Sequence, residues 1–124
     1  MTDSSINSDL IRGHIDTIVL GLLQDCDKYG YEICKEVTDL SEGAYELKEP
    51  TLYSATRRME KQGLLSSYWG DEVSGGGRRK YYTITKQGIT IYHQNLQEWN
   101  RALAVIEKLL SRETQTEEDR NGQR

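Results

Sequence analysis

Phenylalanine is absent from this chain, proline occurs once and cysteine twice. Hydrophobic residues make up only 35% of the 124, and the aromatic bulk comes from eight Tyr and two Trp. A lone domain of this size buries about two-thirds of the surface that its unfolded chain exposes. So sparse an apolar content leaves a thin core, and a second copy of the chain is expected to complete it. No apolar run approaches the roughly 20 residues that a membrane-spanning helix needs. The first nine residues, MTDSSINSD, are polar and acidic and carry neither the basic nor the apolar region of a secretory signal. The expectation is a cytoplasmic protein with no membrane partner.

Motifs of catalysis are missing too. There is no GxSxG, no phosphate-binding P-loop and no GxGxxG after a strand. Cys26 and Cys34 are poor disulfide candidates in a reducing compartment and read as small core hydrophobes. The only histidines are His14 and His93, and no CxxC or HxxxH pair is present to begin a metal site. Nothing positive points to an enzyme, a cofactor or a bound metal.

What the chain does have is an uneven charge distribution. The formal net charge is −4, which by itself argues against nucleic acid. Residues 1–48 hold four bases and ten acids, residues 49–88 seven bases and four acids, and residues 89–124 five bases and six acids. The middle third is a basic island built from two clusters, Arg57, Arg58 and Lys61, then Arg78, Arg79 and Lys80.

Residues 1–8 read as disordered. From Leu10 onward, Leu10, Ile11, Ile15, Ile18, Val19, Leu22 and Leu23 fall at helical spacing, predicting a first helix over about 9–25. A second, shorter helix opens at Tyr29-Gly30-Tyr31, turns Ile33, Cys34, Val37 and Leu40 inward, and ends at Ser41-Glu42-Gly43. Tyr45 to Lys48 reads as a short extended piece. Pro50 suits the first position of a third helix, about 50–62, because its missing N–H has no partner there in any case. Leu52, Ala55 and Met59 face inward, and Thr51, Tyr53, Ser54, Arg57, Arg58 and Lys61 face outward. That outward face carries no acid in a chain that is otherwise acidic. Strands are predicted at 64–69 and 79–85, with a glycine-rich loop, 70–77, between them.

The order helix, helix, helix, strand, loop, strand is that of a winged helix-turn-helix over residues 9–85, with 74–79 as the wing tip. The fold class expected is mainly α with a small β-wing, plus a long C-terminal dimerisation helix over 86–112. Residues 113–124 read as a disordered polar tail. In the last helix Ile89, Tyr92, Leu96, Trp99, Leu103, Ile106 and Leu110 are spaced alternately three and four apart, a heptad seam. A helix of about 24 residues is about 36 Å long, more than a small winged domain needs, so the seam suits a second copy. Packing of the same stripe on its own domain is the competing reading.

A helix entering the major groove needs short polar or aromatic side chains near its start and Arg or Lys further along. Pro50, Thr51, Tyr53 and Ser54 meet the first need, and Arg57, Arg58 and Lys61 the second. The wing residues Gly76, Gly77, Arg78, Arg79 and Lys80 combine close approach with charge for the backbone or the minor groove. Other readings stay open. They are Tyr53 as a cap on the core, Arg57 and Arg58 as partners of Glu60 or a neighbouring acid, and the fold as a protein-interaction module. Trp99, at the middle of the seam, either fills the interface or leaves a flat slot lined by apolar faces. Leu96, and Leu10, Ile11, Ile15 and Asp16 of the first helix, are candidates to line the same space.

Three stretches carry a resemblance. They are Glu49-Pro50-Thr51-Leu52-Tyr53, Arg58-Met59-Glu60-Lys61-Gln62-Gly63-Leu64-Leu65, and Gly76-Gly77-Arg78-Arg79-Lys80-Tyr81-Tyr82-Thr83-Ile84-Thr85. With Gly88 and the upstream Tyr29-Gly30-Tyr31-Glu32-Ile33, they resemble the PadR family of bacterial transcriptional regulators over about residues 10–110. Ser66 to Glu72 and the single C-terminal helix resemble its short subfamily, which includes the multidrug-sensing regulator of lactic acid bacteria. The resemblance implies a homodimeric repressor on a pseudo-palindromic duplex, with Tyr31, the third helix and the wing as DNA contacts. It also implies a planar aromatic effector between the two copies of Trp99. Constitutive repression without a ligand is the alternative. Two departures stand out: the loop Val73 to Gly77 is one residue longer than the pattern, and Leu103 offers no acid one turn past Trp99.

Overall fold

The computed structural model describes residues 6–71 and 77–122. Its elements run α1 (Ser8–Arg12), α2 (Ile15–Leu22), β1 (Lys28–Tyr29), α3 (Gly30–Leu40), α4 (Glu49–Lys61), β2 (Leu65–Trp69), β3 (Lys80–Ile84) and α5 (Lys86–Gly122). The fold class is the one expected, mainly helical with a small antiparallel sheet and a long C-terminal helix. Two units divide the chain at Tyr92 and His93, and α5 begins in the first and continues as the second.

The first unit is built around helices α2, α3 and α4. Val19, Leu20, Leu23, Ile33, Leu52 and Met59 are almost wholly excluded from solvent. Ala55 is buried as its inward position predicts, and Thr56 beside it is buried as well, its hydroxyl donating to the Tyr53 carbonyl at 3.2 Å. The sheet closes one side. Its strand order is β1-β3-β2, and Tyr82 of β3 turns into the core. Gly43 ends α3 and Gly63 ends α4, at φ +81° and +79°, a backbone region that glycine enters without strain.

Thr85 stands where the sheet gives way to α5, within the first unit. Its N–H donates to the Leu64 carbonyl at 3.1 Å and its hydroxyl to the Gly63 carbonyl at 2.7 Å. The same hydroxyl accepts the Gly88 N–H at 3.0 Å, satisfying an orphan donor of the first helical turn. Gly88 lies so close to the Leu64 carbonyl that a Cβ has no room.

Several expectations are corrected. The single helix over 9–25 is two, because Gly13, the poorest helix former after proline, follows α1 and His14 donates back to the Ile11 carbonyl at 2.7 Å. The sheet has a third strand, β1, paired through Lys28 with Tyr82 and Tyr29 with Tyr81. Residues 6–8, assigned to the disordered N-terminus 1–8, are ordered. Asn7 accepts the Asp9 N–H at 2.9 Å, and Ile6 donates to the Ala44 carbonyl at 3.0 Å; residues 1–5 lie outside the described ones. The last helix runs to Gly122 instead of ending at 112. Its Glu, Gln and Arg there are good helix formers, and a helix already nucleated extends through them. Cys26 is exposed rather than core, while Cys34 is partly buried.

Candidate nucleic-acid interface

Helix α4 starts at Glu49, one residue before Pro50, and the proline stays within the first turn, where no N–H is needed. Pro50, Thr51, Tyr53, Ser54, Arg57, Arg58 and Lys61 are all exposed on it. Its amphipathic spacing thus places the predicted face outward.

Tyr53 is partly exposed and also packs inward. Its ring lies against Gly30, where a Cβ would stand 2.8 Å from the phenol oxygen, so the absence of a side chain at residue 30 lets α3 and α4 approach. The phenol donates to Glu49 Oε1 at 3.2 Å. Partial burial, reinforced by the Glu49 charge, pushes the Tyr53 hydroxyl up to about 12. It is therefore a neutral hydrogen-bonding group at the rim of the helix.

The two adjacent arginines have different surroundings. Arg58 forms a two-pronged ion pair with Asp16 of α2, at 2.5 and 2.9 Å. That carboxylate raises the Arg58 pKa further through its hydrogen bonds and its charge. Arg57 has no acid within ion-pair distance among the described residues and faces a concave surface of about 480 Å³.

The wing supplies the opposite wall of that concavity. Gly77 has φ +100°, and Arg78, Arg79 and Lys80 follow it into β3. The Arg79 guanidinium sits 4.6 Å from the centre of the Tyr29 ring. The Lys80 ammonium is 3.9 Å from Glu60 Oε1 and 5.8 Å from the Tyr82 ring centre. Glu60 also accepts from the Ser67 hydroxyl at 2.6 Å. On the outer face of the sheet Tyr29, Tyr31, Tyr68 and Tyr81 form a row of ring contacts, 5.5 to 6.3 Å between centres. Tyr31, at the start of α3, is more than half exposed.

The structure therefore brings together Tyr31, Tyr53, Arg57, Arg78, Arg79 and Lys80 around one concave surface. Pro50, Thr51, Ser54 and Lys61 share the exposed helix but do not line it, and Gly76 lies outside the described residues. Sequence reasoning missed Tyr29, Glu60 and Trp69. The first two carried a signal, since Tyr29 neighbours Tyr31 and Glu60 stands one turn past Arg57.

The other candidates lie elsewhere. Leu10 is exposed on α1, Ile11 packs on the core with buried Ile15, and Asp16 is engaged by Arg58. Tyr92 has a contact within its own chain, its ring against Gly21 of α2, where a Cβ would come within 2.9 Å. Ile89 is exposed and Leu96 half-buried. In the second unit Trp99, Leu103, Ile106 and Leu110 are exposed, from 39% for Leu103 to 60% for Leu110. Among the described residues no helix is long and apolar enough to cross a membrane, and no group of three or more His, Cys, Asp or Glu could hold a metal.

Known proteins are similar to this chain in sequence and fold. The model of the transcriptional regulator PadR-like family matches residues 19–94, which span α3, α4 and the sheet. An uncharacterized protein X of Lysinibacillus sphaericus is 41% identical over 102 residues, 82% of this chain and 93% of its own. The solved structure of a transcriptional regulator from Clostridium thermocellum is 48% identical, with a TM-score of 0.76 over 83% of this chain and 96% of that one. A PadR family transcription regulator from Clostridium difficile is 42% identical, with a TM-score of 0.68 over 79% and 99% of the two chains.

Proposed function

Because the chain belongs to the PadR-like transcriptional regulator family, we propose that it is a homodimeric, sequence-specific DNA-binding repressor. Helix α4 enters the major groove, and the β2–β3 wing lies along the flanking backbone. The observation that carries this reading is the exposed face of α4 joined to Arg78, Arg79 and Lys80 across one concave surface. Thr51 and Ser54 reach base edges, and Arg57 and Lys61 reach phosphate or guanine. The net charge of −4 does not oppose this, because phosphates meet the local field of the basic island.

The second copy meets the first along α5. Its apolar stripe of Trp99, Leu103, Ile106 and Leu110 is exposed in the single chain, which supports a partner of the same kind. A planar aromatic molecule between the two Trp99 side chains relieves repression by favouring a dimer whose recognition helices no longer match half-sites about 34 Å apart.

The test is binding to the promoter duplex of the chain's own gene across a salt series. Affinity falls steeply with salt if phosphates are neutralised, and an affinity that stays flat overturns the reading. Trp99 fluorescence, with Trp99→Phe as the control for Trp69, tests the effector. A saturable shift with planar aromatics, absent in the variant, supports it, and no shift at all leaves a constitutive repressor.

A further inference from the structure

We infer that Arg58, although it stands in the basic cluster of the recognition helix, does not contact DNA: it is a positioning residue that sets the angle of α4 by gripping Asp16 of α2. The inference rests on the DNA-binding reading above.

Four observations carry it. Arg57 and Arg58 are adjacent, so they project about 100° apart around the helix. Arg57 faces the concave surface, and Arg58 faces α2. Both carboxylate oxygens of Asp16 are engaged, at 2.5 and 2.9 Å, a fork-to-fork geometry that fixes direction as well as distance. The pair joins segments 42 residues apart, and each member stands at the helix end that suits its charge, Asp16 in the first turn of α2 and Arg58 in the last turn of α4. Finally, reaching a phosphate means abandoning Asp16, which leaves an unpaired acid beside the polyanion. A guanidinium that stays on its carboxylate neutralises no phosphate and releases no counterion condensed on the DNA, so it adds nothing to the salt dependence of binding.

That last point separates a strut from a contact. Wild type, Arg57→Gln, Arg58→Gln, Asp16→Asn and the double variant Asp16→Asn/Arg58→Gln are titrated with the same promoter duplex over a salt series. Arg57→Gln is expected to reduce the slope of log affinity against log salt by about one phosphate contact. Arg58→Gln is expected to keep the wild-type slope and to lose about two- to fivefold in affinity at every salt concentration, the scale of one partly exposed ion pair. The same five proteins are unfolded in urea without DNA, where the double variant is expected to be no less stable than the weaker single one.

A slope that falls for Arg58→Gln as it does for Arg57→Gln overturns the inference. So does additive destabilisation by the two single changes. If wild type binds no duplex in a salt-dependent way, the DNA-binding reading fails, and the unfolding cycle still decides whether Arg58 and Asp16 are coupled.

Discussion

Single side chains show how tightly the first unit is specified. Lys28 is buried, yet its ammonium donates to the Leu22 carbonyl at 2.6 Å and to Asp25 at 2.9 Å, with Cys26 Sγ at 3.5 Å and Glu36 Oε1 at 3.7 Å. Burial alone would lower its pKa, but the bonds to Asp25 and Cys26 and the Glu36 charge outweigh it and raise the value above 10.5. In return, the Lys28 hydrogen bond holds Asp25 below 3.8. The two shifts act at opposite ends of the pH scale. A raised Lys28 contributes stability that is complete below 10.5 and lost as pH climbs through its folded value. A lowered Asp25 contributes stability present above 3.8 and lost as pH drops through its folded value. Urea midpoints measured across pH should therefore fall at both extremes, and Lys28→Met should flatten both limbs. It should also lower stability near neutrality, because Glu36 Oε1 has no hydrogen-bond donor and would lose its only nearby cation among the described residues. Gly88 makes a simpler case. Gly88→Ala drives a methyl against the Leu64 carbonyl and to within 2.8 Å of Ile84 Cγ1. A loss of about 1–3 kcal/mol in denaturant unfolding is expected, the usual scale of overpacking.

Elements were legible in the sequence where they carry their own period. The inward Leu52, Ala55 and Met59 and the outward Arg57 and Lys61 of α4 follow from 3.6-residue spacing alone. Most of the candidate interface could be read for the same reason. β1 could not, because two residues hold no alternation and Lys28–Tyr29 becomes a strand only when β3 offers it a ladder. The break at Gly13 and the run of α5 past 112 also escaped, since composition marks a tendency and not the point at which a helix stops. The pairing of Arg58 with Asp16 was invisible for a different reason: no local pattern links positions 42 apart. At the start of α5 one side chain carries the junction. Thr85→Ala removes both the bond to the Gly63 carbonyl and the cap on the Gly88 N–H. Thermal and urea unfolding should show a loss of about 1 kcal/mol for the cap, with Thr85→Ser recovering most of it.

At the scale of the whole molecule, the chain has an apolar stripe that one copy does not cover and a basic surface that is small for a sequence reader. Trp99, Leu103, Ile106 and Leu110 keep between 39% and 60% of their surface in the single chain. Six cations crowd α4 and the wing, and two of them are ion-paired, Arg58 with Asp16 and Lys80 with Glu60. A lone reading head with so few free charges binds DNA weakly, whereas two heads on one body gain from the second contact being intramolecular, commonly by a factor of 100 or more. On the proposed reading the stripe and the basic surface explain each other: a seam between two copies would double the number of phosphates engaged. Ile106→Asp/Leu110→Asp puts two charges on the stripe without touching the core of the first unit. In sedimentation, the wild-type protein should run at about twice 14.3 kDa and this variant at 14.3 kDa. The variant should keep the urea transition of the first unit and lose about 100-fold in affinity for a two-fold operator, while binding to a single half-site stays near that of the parent. A wild-type protein that sediments as one chain at the concentrations used for binding, or a variant that holds full operator affinity as a single chain, removes the seam from the mechanism and leaves the basic surface to act alone.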